Sequence, residues 1–357
     1  MARSSVEDRA GEVRRGEELD AAAVDAWLRE RLPELRGAPH VTQYAGGASN
    51  WTYRLEYENR DLILRRPPAG TKAKSAHDMG REYKVQHALK PVYPCVPTMI
   101  GLCEDESVIG AEFYVMERIA GAIPRAQLPK GLALDEAKVR ELCLNVIDKL
   151  IELHRVDPKA AGLESLGKGT GYAKRQIKGW SERYEKAGTW NVLGFEYVRD
   201  WLAEHAPEDV TTCVIHNDFR FDNVVLDVNE PTRVIGVLDW EMATLGDPLM
   251  DLGSSLAYWV QADDDVVMRS TRRQPTHVPG MLRREEVIER YLDATGLSVP
   301  SFAFYEVYGL FRLAVIAQQI YYRYHHGQTR NPAFKNFWIL VNYLGLRCMR
   351  IIARSPR

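Results

Sequence analysis

A chain of 357 residues, 45% hydrophobic and 27% charged, is long enough for two domains or one large bilobal one and has an ordinary globular balance. A formal net charge of −2 gives no general electrostatic ground for binding nucleic acid or a membrane surface. Five scattered cysteines (Cys95, Cys103, Cys143, Cys213, Cys348) form no C-x-x-C pair, which predicts free thiols in a reducing compartment and no zinc site.

The first residues mix charges without an apolar core and do not read as a secretory signal. No run reaches the roughly 18 apolar residues that span a bilayer; Phe337–Leu346 is short and interrupted by Asn342. The expectation is a cytoplasmic protein, a monomer or homodimer. Leu19–Leu35 reads as a helix, with Ala23, Val24, Trp27, Leu28 and Leu32 apolar and Asp20 available as a cap. Trp51, Tyr53, Leu55 and Tyr57 then alternate with polar residues, the period of a half-buried strand. Asn59-Arg60-Asp61 turns the chain and Leu62–Leu64 begins the return strand. Ahead of this pair, Gly46-Gly47-Ala48-Ser49-Asn50 is either a plain hairpin turn or a loop whose backbone N–H groups can lie against phosphate.

Lys72–Lys90 is predicted to be a helix, broken by Pro91, Pro94 and Pro97. Val108–Glu117 reads as a hairpin ending in a buried strand, followed by the connector Glu117–Gly121. From Asp135, Val139, Leu142, Val146, Leu150 and Leu153 form the apolar stripe of a core helix, with His154 packing at its end. Trp180, Tyr184, Trp190, Tyr197 and Trp201 are either core or substrate-facing. Prolines and mixed charge over 261–284, including Asp263-Asp264-Asp265 and five arginines, predict a surface insertion. Helices follow from Glu285; adjacent His325 and His326 cannot both face one metal from a helix. No internal repeat is present.

Residues 214–241, V-I-H-N-D-F-R-F-D-N-V-V-L-D-V-N-E-P-T-R-V-I-G-V-L-D-W-E, organise the rest. Two apolar runs, Val224–Val228 and Val234–Leu238, flank the turn-forming Asn229-Glu230-Pro231-Thr232 and predict a hairpin. Neighbouring strands lie roughly 5 Å apart, so Asn223 and Asp239 should meet at one end. An amide oxygen and a carboxylate there could hold a divalent cation through hard oxygen donors. Asp218, five residues earlier, is free to face whatever that cation holds. A cation on the phosphates and a separate carboxylate for the acceptor proton are what phosphoryl transfer requires.

The pattern H-N-D-F-R-F-D-N…L-D-W-E resembles the aminoglycoside phosphotransferase and choline kinase superfamily. The stretch R-E-Y-K-V-Q-H-A-L…E-F-Y-V-M-E-R-I-A-G also resembles the kinase-like domains fused to some acyl-CoA dehydrogenases. The resemblance implies an α+β, bilobal protein-kinase-like fold: an N-lobe over residues 1–119 with an antiparallel sheet and a helix, and a mainly helical C-lobe over 120–357. It implies ATP and Mg²⁺ as cofactors, Asp218 as catalytic base, and Asn223 and Asp239 as metal ligands. Arg220 is expected to offset charge on the transferring group. The loop with Gly46, Gly47, Ser49 and Asn50 would cover the phosphates. Arg65 would bind them, with Arg66 as its competitor on the opposite face, and Glu82 would pair with the strand cation. Met116, Glu117 and Ile119 would line an adenine hinge. Asp251 would brace the catalytic loops, and Glu241 would assist the metal or face substrate.

The implied function is ATP-dependent phosphorylation of a small-molecule hydroxyl. The alternatives are a hydroxyacyl-CoA-type kinase of the same fold and a catalytically silent nucleotide-binding regulator. A metal-dependent phosphohydrolase built on His216 and Asp218 is a further rival, though no other histidine joins that motif. Asp263–Asp265 could serve a polycationic aminoglycoside, but the nearby arginines dilute that case.

Overall fold

The computed structural model describes residues 6–44, 50–68, 78–132 and 134–355. Five strands build an antiparallel sheet: β1 (His40–Gln43), β2 (Trp51–Glu56), β3 (Asp61–Arg66), β4 (Met99–Cys103) and β5 (Phe113–Glu117), in the spatial order β1-β2-β3-β5-β4. Because side chains alternate along a strand, β3 serves two faces. Leu62 and Leu64, with Tyr53, Leu55, Phe113 and Val115, pack on Val24, Trp27 and Leu28 of helix α1 (Ala21–Arg29). Ile63, with Tyr114 and Met116, packs on Met79 of α2 (Met79–Leu89).

Three elements differ from their predicted bounds. Asp20 caps α1, its carboxylate accepting from the Ala23 N–H at 3.0 Å. The helix then ends at Arg29 instead of running to Leu35, because Pro33 disfavours helical backbone at the residue before it. The strand paired with β5 is Met99–Cys103 rather than Val108 onward; 104–112 form the connection, turning at Gly110 with φ +78°. α2 starts at Met79, where Asp78 accepts from the Arg81 N–H at 2.8 Å; positions 72–77 of the predicted helix lie outside the described residues.

The remainder is mainly helical: α3 (Glu136–His154), α4 (Tyr172–Lys186), α5 (Glu196–Glu204), α6 (Pro248–Leu256), α7 (Val266–Ser270), α8 (Arg284–Thr295), α9 (Ala303–His325) and α10 (Phe337–Arg354). The predicted stripe on α3 is buried in one large core with α6, α9 and the aromatic residues Trp180 and Tyr184. Trp190 and Tyr197, in contrast, are 86% and 57% exposed, so that aromatic run divides between core and surface. Two small antiparallel pairs lie between the helices, β6 (Cys213–Ile215) with β9 (Thr244–Gly246), and β7 (Val224–Leu226) with β8 (Val234–Val237). The β7–β8 pair is the hairpin predicted around Pro231.

The segment 261–284 is not a simple surface insertion. Gln274, Thr276 and Leu282 are buried, and the Gln274 side-chain oxygen accepts from the Phe221 N–H at 2.8 Å. The segment therefore buttresses the loop between β6 and β7.

Helices α6 and α9 cross with backbones nearly touching. A Cβ on Gly309 would lie 2.1 Å from the Gly253 carbonyl oxygen. Gly309→Ala is expected to destabilise the protein by about 1–3 kcal/mol through overpacking, read as a lowered urea midpoint with unchanged slope.

Candidate active site

Strand β6 delivers the chain to His216, and the loop from there to Asn223 is fixed from below by Asp251 of α6. Asp251 is fully buried. Its carboxylate accepts from the backbone N–H groups of His216 and Asn217, both at 2.8 Å, and lies 3.1 Å from His154 Nε2. Burial raises the Asp251 pKa, but His154 and the backbone donors bring it below the ordinary value. Asn217 takes a left-handed φ of 65°, which turns the chain sharply before Asp218. His154, 2.6 Å from the Tyr291 hydroxyl, is thus part of the brace.

His216 links the loop to the end of β8. Its Nε2–H donates to the Leu238 carbonyl at 3.0 Å, and its Nδ1 accepts from the Asp218 N–H at 3.3 Å. This tautomer is neutral; burial depresses the pKa, opposed by Asp251, Asp218 and Asp239. Leu238 N–H donates to the Asn223 carbonyl at 2.8 Å, and Val224 pairs with Val237. Asn223 and Asp239 consequently sit at the same end of the hairpin.

The Asp218 carboxylate is partly exposed and accepts from Arg220 Nη2 at 3.1 Å and Asn223 Nδ2 at 3.3 Å. Asn223 Nδ2 also donates to the Asp218 carbonyl at 2.9 Å. Burial opposes the Arg220 charge, while Asp218 and Asp222 raise its pKa. With Nδ2 committed, the Asn223 Oδ1 remains as an acceptor.

Arg65 joins the sheet to this loop cluster. It pairs with buried Glu82 of α2, and its Nη2 lies 3.4 Å from Asp239 and 3.8 Å from Glu241. Burial opposes its charge, but Glu82, Tyr114, Asp239 and Glu241 hold its pKa well above the usual guanidinium value. Arg66 points to the other face, its guanidinium 5.0 Å from the Trp51 ring centroid. Asn50 Nδ2 donates to Glu241 at 3.2 Å, bringing the strand that follows the glycine-rich loop to the same place. Gly46, Gly47 and Ser49 lie outside the described residues.

At the connector, Met116 is buried on the Ile63 face of the sheet. The Glu117 N–H is taken by the Thr98 carbonyl at 2.8 Å, and its carboxylate pairs with Arg60 at 2.8 Å. The Ile119 N–H makes no hydrogen bond among the described residues, and its side chain packs against Gly236, where a Cβ would come within 2.7 Å of Ile119 Cδ1.

Among the described residues no group of three or more His, Cys, Asp or Glu side chains is arranged to hold a metal. The donor set that exists is Asn223 Oδ1 and the Asp239 carboxylate. Around it one guanidinium, Arg65, faces three carboxylates, Glu82, Asp239 and Glu241. Two hard oxygens in a locally negative site suit Mg²⁺, which takes one or two protein donors and fills the rest with phosphate and water oxygens.

Residues 40–301 match the phosphotransferase enzyme family. Acyl-CoA dehydrogenase family member 11 of Rattus norvegicus is 35% identical over 321 residues, 87% of this chain and 40% of that protein. The chain thus spans about two fifths of the length of such curated relatives. A crystal structure from Ralstonia eutropha, provisionally named an aminoglycoside phosphotransferase, superposes with a TM-score of 0.81 at 28% identity, covering 95% of this chain and 100% of that one. Choline kinase from Cryptosporidium parvum (TM-score 0.62, 14% identity, 94% and 96% covered) shares the fold. So does a thermostable mutant of aminoglycoside phosphotransferase APH(4)-Ia, solved as a ternary complex with AMP-PNP and hygromycin B (TM-score 0.58, 15% identity, 94% and 100% covered). The chain belongs to the phosphotransferase enzyme family and has its α+β, two-lobed kinase-like fold.

Residue-pattern reasoning missed Gln274, which carries no motif. It also gave His216 no structural part, although the histidine ties the Asp218 loop to β8. The His216 pKa is lower folded than the 6.5 of a free imidazole. Below pH about 6.5 the unfolded state therefore binds the extra proton. Stability should rise with pH through that region and fall on acidification, and His216→Asn should flatten the dependence in urea melts between pH 5.5 and 8.

Proposed function

We propose that this protein transfers the γ-phosphate of ATP to a hydroxyl group of a small molecule. The observation that carries the reading is Asp218: a partly exposed carboxylate oriented by Arg220 and Asn223, on a loop that His216 ties to the hairpin end where Asn223 and Asp239 sit. Arg65 binds phosphate oxygens from the sheet side, and Glu82 fixes its direction. Asn50 stands at the end of the phosphate-covering loop, with Gly46, Gly47 and Ser49 supplying the rest. Met116 and Ile119 border the adenine, and the Ile119 N–H, which has no hydrogen bond among the described residues, is its donor; the Glu117 N–H is already taken by the Thr98 carbonyl. Asn223 and Asp239 would hold Mg²⁺, which would supply positive charge to neutralise the phosphates.

Asp218 orients the acceptor hydroxyl and takes its proton as the hydroxyl oxygen attacks the γ-phosphorus. The new O–P bond forms while the bond from phosphorus to the bridging oxygen breaks, its electron pair leaving with ADP. Arg220, beside Asp218, offsets charge on the transferring group. A silent regulator would have no need of Asp218, Asn223 and Asp239 together. For the acceptor, the names of the relatives bring acyl-CoA beside aminoglycosides, and the sequence resemblance implies a hydroxyacyl thioester as the acyl-CoA-type acceptor. The acidic run offers a polycation little: Asp264 is committed to Arg284 and Arg347, Asp263 to Arg283, and Asp265 to Tyr343 and the cap of α7.

ADP release across a panel of hydroxyl compounds tests the reading. With an accepted substrate, Asp218→Ala should lower kcat by roughly 10²–10⁴-fold, while ATP still raises the melting temperature. Unchanged turnover in that variant would remove Asp218 from the base role. Asn223→Ala and Asp239→Ala should each weaken the Mg²⁺-dependent part of the stabilisation by ATP. The same shift with and without Mg²⁺ in wild-type protein would overturn the metal assignment.

A further inference from the structure

Arg312, midway along α9, is 5% exposed, yet it forms no salt bridge or hydrogen bond among the described residues. A buried guanidinium without a counter-ion is costly, so its retention calls for an explanation. Its guanidinium carbon lies 5.4 Å from the Trp180 ring centroid. Burial opposes the charge, while Tyr308, Tyr258, Asp218 and Tyr172 favour it.

Hydrogen-bond and ring contacts tie this neighbourhood to the Asp218 loop. The Tyr172 hydroxyl donates to Asn217 Oδ1 at 3.0 Å, one residue before Asp218. The Arg220 guanidinium, bonded to Asp218, lies 4.9 Å from the Tyr258 ring centroid. Among the described residues the buried Tyr308 hydroxyl, one turn before Arg312, has no hydrogen-bond partner. Asp218 and Asp222 are ion-pair partners of Arg220, at 3.1 and 3.3 Å, not of Arg312. A second cation, on which the Asp218 charge acts, and a hydroxyl without a hydrogen bond among the described residues thus lie in the helical lobe beside the loop of the proposed base, whereas Arg65 lies on the sheet side.

We infer that Arg312 selects an acceptor with an anionic head: a hydroxycarboxylate whose carboxylate is held by Arg312 and the Tyr308 hydroxyl while its own hydroxyl meets Asp218. This rests on the phosphotransferase reading for the reaction, but the binding of the anion can be tested without turnover. The guanidinium matches a carboxylate in planar geometry. The same charge repels ammonium-bearing acceptors, so selection works in both directions.

The experiment compares glycolate, 3-hydroxypropionate and 4-hydroxybutyrate with the corresponding diols and with ethanolamine. ADP formation and ligand-induced thermal shift are read in wild-type, Arg312→Lys and Arg312→Gln proteins. The expected result is that at least one hydroxycarboxylate has the highest kcat/KM. Arg312→Gln should then cut the ratio of acid to diol by roughly 10- to 100-fold, the worth of a charge-assisted hydrogen bond, and Arg312→Lys should restore part of it. The ratio is internal to each variant and insensitive to the fraction folded. Preference for ethanolamine or the diol overturns the inference and leaves the transferase reading standing. If no compound yields ADP, a thermal shift by hydroxycarboxylate that is lost in Arg312→Gln still upholds the anion site; no such shift in wild-type protein overturns it.

Discussion

One buried carboxylate sets the geometry on which the rest of the site depends. Asp251 sits inside the helical lobe with no access to water, where an isolated charge would cost several kcal/mol, about what each ion of a buried pair loses. It persists because two backbone N–H groups and His154 surround it. Those same bonds fix the peptides of His216 and Asn217, and so the direction in which Asp218 leaves the loop. The cap of α6 has a similar construction one turn earlier: Asp247 accepts from Leu249 and Met250 and from the distant Val210 N–H. A helix N-terminus thus anchors the loop that bears the proposed base.

The two lobes meet electrostatically through Arg65. Its partner Glu82 comes from α2, while Asp239 and Glu241 come from just beyond the catalytic hairpin. One cation shared among three carboxylates leaves the junction negative, and a site of that sign attracts a divalent ion more readily than it accepts bare phosphate. The connector adds a short-range tie. Ala122 exchanges backbone hydrogen bonds with Leu226 at 2.9 and 2.8 Å, so the hairpin is fastened to the segment leaving the sheet.

The helical lobe answers with cations of its own. Arg220 is bound to the carboxylates beside it, whereas Arg312 pairs with none among the described residues, and the acidic run Asp263–Asp265 is occupied by arginines, a tyrosine and a helix cap. Fold likeness to enzymes named for aminoglycosides carries no information on these side chains, because sites for different acceptors are grafted on one framework.

The primary sequence by itself determined the features that depend on local rules. The alternation of Trp51–Tyr57, the 3.6-residue stripe on α3 and the turn around Pro231 each specify an element through backbone preference and apolar period, and each is present. The order Asp218, Asn223, Asp239 was equally legible, since a hairpin of that length must return Asp239 to Asn223. Where a boundary hinged on competing local signals, as at Pro33 or at the partner of β5, pattern alone misplaced it. Only the tertiary structure showed that Arg65, and not Arg66, pairs with Glu82, because that depends on which face of the sheet meets α2. It alone brought Gln274 to Phe221, His216 to Leu238 and Asp251 to the loop: these contacts join residues far apart in the chain, and no periodicity encodes a single hydrogen bond across the core. The placement of Arg312, without an ion pair among the described residues, belongs with them, since whether a guanidinium has a partner is decided by what folding packs around it.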